Sequence, residues 1–441
     1  MTNVAVLLPG IMGSQLCLGS DVIWPGPLTS LIGEYKRMTD LLRPELVATD
    51  VLRNYGIFSI YDPLISDLED CDFKENGNPK TLYVFPYDWR KSNYESAGLL
   101  AGLIDRIRAS IEGDLKIILI GHSMGGLVSR CYLESGGFAQ RQGFDCVKTL
   151  ITIGTPHRGA ALTAVYAVGL QKQLFLSKSQ VQQLANDPRY PSAYELLPAQ
   201  DEMFAWPYED SAQLKPLDIY SQATAQAMNL SMANIQASID FQKRLDLARK
   251  PTDVRYFAFY GTRLKTTMNI RLEQYQGVLK TSALSVDDGG DGTVPVWSAL
   301  RGVQSMPVGE EHMKLFRDAS LRTTLSILLG APGRLAAPAE IRVVANARVV
   351  ETDSLVSVVL LFPGGTTQID GAVRWVKLSD TGEPGQPEGD SARVQYGGAP
   401  VDKIGLQLPS PPFGGFYSLE FTDASGAKVV PDQVVVQQKS N

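Results

Sequence analysis

The 441-residue sequence predicts an α/β fold, a mostly parallel sheet flanked by helices, followed by a smaller all-β domain. Three observations carry that expectation. Short apolar runs alternate with helical patterns through roughly the first 330 residues, the rhythm of parallel strands joined by crossover helices. One such run, Leu115 and Ile117–Ile120, stops at Gly121-His122-Ser123-Met124-Gly125 and gives way to a helical pattern at Leu127, Val128, Cys131 and Tyr132. Beyond Gly330 the texture changes to short apolar or alternating runs separated by Gly, Pro and Asp turns, as in antiparallel β-domains.

Taken in order, Val4–Leu8 reads as a first core strand that runs into Pro9-Gly10-Ile11-Met12-Gly13-Ser14. Residues 22–70 are too long and irregular for a simple connection and read as a lid. Tyr83–Phe85 is the next strand, with Pro86-Tyr87-Asp88-Trp89-Arg90 at its end, where Asp88 and Arg90 are expected to form a structural pair. A helix is predicted over 95–111 from Leu99, Leu103, Ile104, Ile107 and Ile111. The Ser123 segment follows, and then a strand at Val147–Ile153 that ends in Gly154-Thr155-Pro156-His157-Arg158-Gly159. Residues 160–250 interrupt the strand rhythm with helical patterns, including Met228, Met232, Ile235 and Ile239 at helix spacing, and are expected to cap the site. That stripe reads as packing against the core rather than as an adaptable wall for acyl chains. Arg255–Gly261 and Val303–Val308 complete the parallel strands, and Ala319–Leu329 is a closing helix. A linker at 331–339 leads to an immunoglobulin-like β-sandwich over 340–441, with runs at Ile341–Val344, Leu355–Phe362, Val373–Leu378, Ile404–Leu408, Tyr417–Phe421 and Val434–Val436.

Strand, G-x-S-x-G, helix is the context of a nucleophile elbow, in which a serine is held on a strained turn at the top of a sheet. Side chains at Gly121 and Gly125 would collide there with neighbouring backbone. Ser123 is therefore the candidate nucleophile, and it needs a base. The chain has three histidines, His122, His157 and His312. His122 adjoins Ser123 and points away from it; His157 falls before any acid-bearing strand and reads as a packed, hydrogen-bonded side chain. His312, just after the last strand, remains. In this fold the acid lies between the serine and the histidine, here in Asp287-Asp288-Gly289-Gly290-Asp291-Gly292-Thr293-Val294, where three aspartates compete. A calcium loop fails on spacing, because the twelfth position is Ser298 and not Glu. The backbone N–H groups of Ile11 and Met124 are the candidate oxyanion donors, each of a kind that contributes about 2.7–4 kcal/mol in comparable sites.

A net charge of −6 argues against nucleic acid, whose phosphates need a basic face, and gives no pull toward anionic lipid. Lipid-surface contact is then expected through apolar lid surface alone. No apolar run approaches the roughly 18 residues of a membrane-spanning helix, and the start of the chain reads as a strand rather than a leader, so a cytoplasmic location is expected. The four cysteines, Cys17, Cys71, Cys131 and Cys146, are irregularly spaced and read as thiols. No cofactor and no metal are expected, and the β-domain, which carries no histidine or cysteine, is expected to bind, scaffold or shield, with no partner identified.

Five segments together resemble the lecithin:cholesterol acyltransferase (LCAT)-like family of α/β-hydrolases in its bacterial form: Leu8-Pro9-Gly10-Ile11-Met12-Gly13-Ser14, Pro86-Tyr87-Asp88-Trp89-Arg90, Gly121-His122-Ser123-Met124-Gly125-Gly126, Gly154-Thr155-Pro156 with Arg158-Gly159, and Asp291-Gly292-Thr293-Val294. The resemblance covers residues 1 to about 330 and leaves the β-domain outside. It implies an α/β-hydrolase fold and favours Asp291, which precedes Gly-Thr-Val, over Asp288 as the acid. It also implies cleavage of lipid acyl esters, with water or an alcohol receiving the acyl group. The sequence leaves open a thioesterase or deacylase of carrier-bound or lipid-linked acyl groups, and a catalytically dead hydrolase core that binds a partner through its β-domain.

Overall fold

A computed structural model describes residues 2–28, 30, 35–56, 58–207, 216–275, 278–300, 302–335, 341–379, 382–424 and 429–439. The predicted linker therefore falls partly, at 336–339, outside the described residues.

Six strands form the central sheet: β1 (Thr2–Leu8), β2 (Leu82–Val84), β3 (Leu115–His122), β4 (Val147–Ile153), β5 (Arg255–Gly261) and β6 (Gln304–Val308). Their order across the sheet is β6-β5-β4-β3-β1-β2, and every pairing is parallel. The register sets Leu7 against Ile120 and Leu8 against Gly121. Successive residues of a strand face opposite ways, and these near-continuous apolar runs are sorted accordingly. Val4, Val6, Leu8, Ile117 and Leu119 pack with Leu100 and Ile104 of α1 (Asn93–Ser110) and with Leu127 and Val128 of α2 (Met124–Glu134). Ala5, Leu7, Ile118 and Ile120 pack on the other face with Leu64 and Leu68 of the helix Asp62–Asp70 and with Leu321 and Leu325 of α3 (Ala319–Leu328). The result is the helix–sheet–helix sandwich expected of buried parallel strands. The predicted helix over 95–111 is observed as Asn93–Ser110, with Ile104 and Ile107 buried as expected, but Leu99 is 61% exposed and Leu100 is fully buried in its place.

Two segments build onto the carboxyl edge of this sheet. The described residues of 160–250 are mainly helical, in short pieces such as Ala161–Ala167, Lys178–Asn186, Gln222–Ala227 and Met232–Gln242, with one short strand at Ala205–Pro207. The helix-spaced stripe through Met228 and Met232 is broken. Asn229 adopts φ 55°, which ends one helix after Ala227 and lets the next begin at Met232. Met228 and Ile235 pack inside the cap's own core. The N-terminal segment forms a small antiparallel sheet of Ser14–Leu18, Asp21–Trp24 and Val47–Val51. It is joined to the cap by aromatic contacts: Phe175 lies 4.9 Å from Trp24, 5.6 Å from Tyr35 and 5.8 Å from Tyr55, centroid to centroid.

The C-terminal residues form a β-rich domain of seven strands in one hydrogen-bonded sheet. Its main members are β7 (Ile341–Ala345), β8 (Leu355–Leu378), β9 (Pro384–Pro409), β10 (Gly415–Asp423) and β11 (Asp432–Gln437). Two runs read separately in the sequence, at 355–362 and 373–378, are halves of the single strand β8. Its first half pairs with β7 and its second half with β10, while β9 follows both. Gly364 and Gly365, both with φ above +70°, stand where the strand changes partner. One curled sheet thus encloses the core of Val358, Leu360, Trp375, Tyr417, Leu419 and Val434.

Candidate active site

Ser123 directly follows β3 and adopts φ 52° and ψ −124°, a strained conformation for a residue with a side chain. The surroundings enforce it. The Ser123 N–H donates to Ile153 O (2.8 Å) at the end of β4, and α2 begins at Met124. A Cβ on Gly121 would lie 2.5 Å from Gly126 backbone, and one on Gly125 would lie 2.4 Å from Leu8 O. No side chain fits at either position, so β1, β3 and α2 converge behind the serine as the sequence predicts.

Between β5 and Asp291 the chain makes an excursion the sequence does not announce, an antiparallel hairpin of Leu264–Tyr275 and Val278–Gly290. It returns Asp291 to the end of β5, where a Cβ on Gly261 would sit only 2.1 Å from Asp291 Cβ. Asp288, the runner-up for the acid, lies on the hairpin with 58% of its side chain exposed and pairs with Lys403. Asp291 is wholly buried, and His312 and Ser123 are each 5% exposed.

Three side chains remote in sequence meet here. His312 Nδ1 donates to Asp291 Oδ2 (2.8 Å), and its Nε2 lies 2.9 Å from Ser123 Oγ. The other oxygen of Asp291 accepts from Thr293 N (3.0 Å) and Val294 N (2.7 Å), which fixes the carboxylate plane. Burial alone would push the His312 imidazole down. The Asp291 charge and hydrogen bond, with Glu311 beside them, outweigh burial and hold it above the ordinary histidine value, Arg348 opposing.

His122 has a role not anticipated from the sequence. Its Nε2 lies 3.0 Å from His312 O, which can only accept, so Nε2 carries the proton. Nδ1 is then an acceptor for the Tyr61 hydroxyl (2.8 Å), and Tyr61 Oη accepts in turn from Gly10 N (2.7 Å). Burial pushes His122 down to about 3, so it stays neutral. This chain ties the loop after β1 to the loop that bears His312. It also commits the Gly10 N–H, whereas among the described residues the N–H groups of Ile11 and Met124 donate to no protein atom. Met124 N lies in the first turn of α2, where no intrahelical acceptor exists.

His157 is buried and pairs with Thr152 Oγ1 (3.1 Å) away from this site, and burial lowers its basicity well below the usual range. Asp88 and Arg90 form a buried pair (2.7 Å) in which Arg90 also donates to Leu41 O and Arg43 O, so it braces the N-terminal segment. The four cysteines are free.

A cavity of about 270 Å³ opens onto Ser123 and His312. Ile11 lines it beside the serine, Leu162, Tyr166 and Leu184 line it from the cap, and Val349 and Val350 line it from the β-domain. No described residue of 22–70 reaches this cavity; that segment supports the cap from behind through Phe175.

The model of the lecithin:cholesterol acyltransferase family matches residues 42–280, more than half of the chain. The protein belongs to this family. The matched span holds the Ser123 elbow and ends before Asp291 and His312, so those two positions stand on the geometry above. Among LCAT-family relatives, the chain is similar to phospholipase A(1) LCAT3 of Arabidopsis thaliana, 26% identical over an alignment of 326 residues that covers 62% of this chain and 70% of the relative. It is also similar to lecithin-cholesterol acyltransferase-like 4 of Arabidopsis thaliana, 27% identical over an alignment of 359 residues that covers 66% of this chain and 62% of the relative. Among solved structures, Tle4 in its complex with Tli4 shares the fold, with a TM-score of 0.54 and 15% identity over 76% of this chain and 99% of that one. No helix among the described residues is long and apolar enough to cross a membrane.

Proposed function

We propose that this LCAT-family protein is a serine-dependent hydrolase or acyltransferase of lipid acyl esters that works through an acyl-enzyme. The observation that carries the reading is the unbroken hydrogen-bond sequence Ser123–His312–Asp291 at the mouth of an apolar cavity. His312 Nε2 takes the hydroxyl proton as Ser123 Oγ bonds to the ester carbon, and the carbonyl electron pair moves onto oxygen. The N–H groups of Ile11 and Met124 hold that oxyanion. Asp291 keeps the proton on His312 Nδ1 and steadies the imidazolium. Collapse of the tetrahedral intermediate breaks the ester C–O bond, and His312 returns its proton to the departing alkoxide. Water or an acceptor alcohol then attacks the acyl-enzyme by the reverse of these steps.

The names of the two plant relatives, a phospholipase A(1) and a lecithin-cholesterol acyltransferase-like protein, support a glycerophospholipid as the acyl ester that is cleaved. In this reading residues 1–330 are the catalytic unit and 340–441 the β-domain, and lipid contact is peripheral, through exposed Val22, Leu28 and Val47 of the N-terminal segment. A reducing, cytoplasmic setting suits its four free thiols. The test is hydrolysis of short and long p-nitrophenyl esters, labelled phospholipid, triglyceride and acyl thioester by the wild type, Ser123→Ala and His312→Ala. Both variants are expected to lose all turnover and to be refractory to a fluorophosphonate probe. Turnover surviving either change overturns the assignment, and a thioester preferred over every oxygen ester overturns the substrate class.

A further inference from the structure

The loop between β6 and α3 that carries His312 reads Gly309-Glu310-Glu311-His312-Met313-Lys314. Each of the three ionisable residues that flank His312 in it finds its ion-pair partner in the β-domain. Glu310 meets Arg342 of β7 (2.7 Å), Glu311 meets Arg348 just after β7 (3.6 Å), and Lys314 meets Asp432 at the start of β11. None is a surface pair: the six side chains are between 3% and 18% exposed. The β-domain side is itself braced, since Asp432 Oδ2 accepts from Ala345 N (2.9 Å). The same stretch of the β-domain, Asn346–Glu351, walls the cavity, and Glu351 pairs with Lys172 of the cap (2.5 Å).

The segment leaves β6 at Val308 and enters a short 3₁₀ helix, His312–Arg317, whose Leu315 and Phe316 are buried in the core of the hydrolase domain; its charged side chains are settled from the β-domain side. Buried charges are tolerated only when paired, and with the β-domain withdrawn Glu310, Glu311 and Lys314 would each turn toward water and strain the His312 backbone against its own anchors, the bond from its N–H to Asp291 O (3.0 Å) and the bond its O accepts from His122 Nε2 (3.0 Å). The charges around the imidazole come from three elements: Asp291 after the hairpin, Glu311 on its own loop and Arg348 from the β-domain, with neutral His122 behind.

We propose that the β-domain is a clamp on the catalytic base: Arg342, Arg348 and Asp432 are positioning residues that hold the His312 loop in reach of Ser123, and the domain closes the substrate cavity from the same side. The inference rests on the reading of Ser123 and His312 given above. None of the three residues touches the reacting atoms, so each acts through His312.

The test uses the full chain and a small uncharged ester, p-nitrophenyl acetate, with diisopropyl fluorophosphate as a probe of Ser123 activation. Arg348→Met and Arg342→Met are expected to lower kcat and the rate of phosphorylation of Ser123 together, by about ten- to hundred-fold, with KM nearly unchanged. Arg348→Lys, which keeps the charge, should recover most of the loss. Asp432→Asn keeps an oxygen for Ala345 N and is the variant that spares the fold; it should show the same kcat effect. Arg374→Met removes a more exposed arginine–carboxylate pair with Glu420 elsewhere in the β-domain and, as a control for loss of an arginine from that domain, should leave kcat intact. If Asp432→Asn and the arginine variants fold and keep wild-type kcat and inactivation rate, or if Arg374→Met loses kcat equally, the clamp is refuted. Loss of Ser123 labelling in the wild type would instead refute the underlying reading.

Discussion

Replacing Asp291 with asparagine isolates one function of the carboxylate, because the structure fixes how the amide must sit. Asp291 Oδ1 accepts from two backbone donors, Thr293 N and Val294 N. An asparagine will keep its carbonyl oxygen there, since the flipped amide would face NH2 to two N–H groups at about 1–3 kcal/mol each. Its NH2 then occupies the Oδ2 position, 2.8 Å from His312 Nδ1. Nδ1 is forced to accept, the proton moves to Nε2, and the nitrogen facing Ser123 Oγ can no longer take its proton. A triad held in the wrong tautomer loses about 10⁴ in kcat, or roughly 5.5 kcal/mol at 1.36 kcal/mol per decade, while the two bonds to Oδ1 survive, the third is reversed in direction, and stability moves by no more than about 2 kcal/mol. The pH profile adds a second signature. In the wild type the base must be neutral, so kcat/KM falls as pH drops through the His312 pKa, which lies above the ordinary value. Removing the Asp291 charge leaves burial dominant, and the acid limb of the residual activity should shift to lower pH. The assay is kcat on p-nitrophenyl butyrate across pH, with thermal unfolding in parallel and Asp288→Asn as the control. An Asp291→Asn enzyme within about ten-fold of wild type, or an Asp288→Asn enzyme as damaged as expected of Asp291→Asn, would refute the assignment of the acid.

Gly125→Ala places a Cβ 2.4 Å from Leu8 O, where only backbone could yield. It should destabilise the fold by about 3 kcal/mol or more, read as a lowered urea midpoint or as failure to accumulate folded protein. Tyr61→Phe removes the donor to His122 Nδ1 and the acceptor for Gly10 N. Two buried groups are left unpaired, so a loss of about 2–4 kcal/mol is expected, together with a fall in kcat as the Gly10-Ile11 loop loosens. Glu195 is buried, which pushes its carboxyl up to about 7 despite hydrogen bonds from Asn93 N and Ser92 Oγ. A raised carboxyl pKa means the folded state holds the proton longer than the unfolded one. Stability from this group is therefore present at low pH and declines as pH rises from about 4.5 to about 7, by about 3 kcal/mol in total. Urea midpoints of the wild type and Glu195→Gln over that range should converge at the acid end and diverge at the neutral end.

Much of the catalytic half could be read from the sequence because steric and chemical necessity leaves few alternatives there. Gly121 and Gly125 are needed by backbone within 2.5 Å, and a chain with three histidines offers one that follows the last strand. Apolar runs without alternation marked the buried strands, since both faces of the sheet are covered. What escaped were features decided by tertiary pairing. Asp287-Asp288-Gly289-Gly290 has the composition of a turn, yet it ends a strand, because Thr266 pairs with Val286 just before it and Leu264 pairs with Gly290 at its end. Gly364-Gly365 reads as a break, yet β9 holds both halves of β8 in one strand. The Met228–Ile239 stripe has helical spacing, and only the positive φ at Asn229 shows that two helices share it. No spacing rule joins Glu311 to Arg348, or Lys314 to Asp432 across more than a hundred residues.

The His122 chain explains why the elbow carries a second histidine that does no proton transfer. In the proposed mechanism His312 alternates between neutral and charged while its position stays fixed, and the loop proposed to hold the oxyanion stays fixed through the same cycle. A neutral imidazole with its Nε2–H on His312 O and its Nδ1 on Tyr61 holds both loops by their backbones, through groups whose protonation does not change during turnover. A charged side chain in the same place would add a field that worked against the imidazolium at His312. With burial keeping it near a pKa of 3, His122 stays uncharged at any pH where Ser123 can be activated. In that reading the site divides its labour: charge is concentrated on Asp291, Glu311 and Arg348, where it bears on the His312 imidazole, and geometry is held by neutral hydrogen bonds that the proposed chemistry leaves alone.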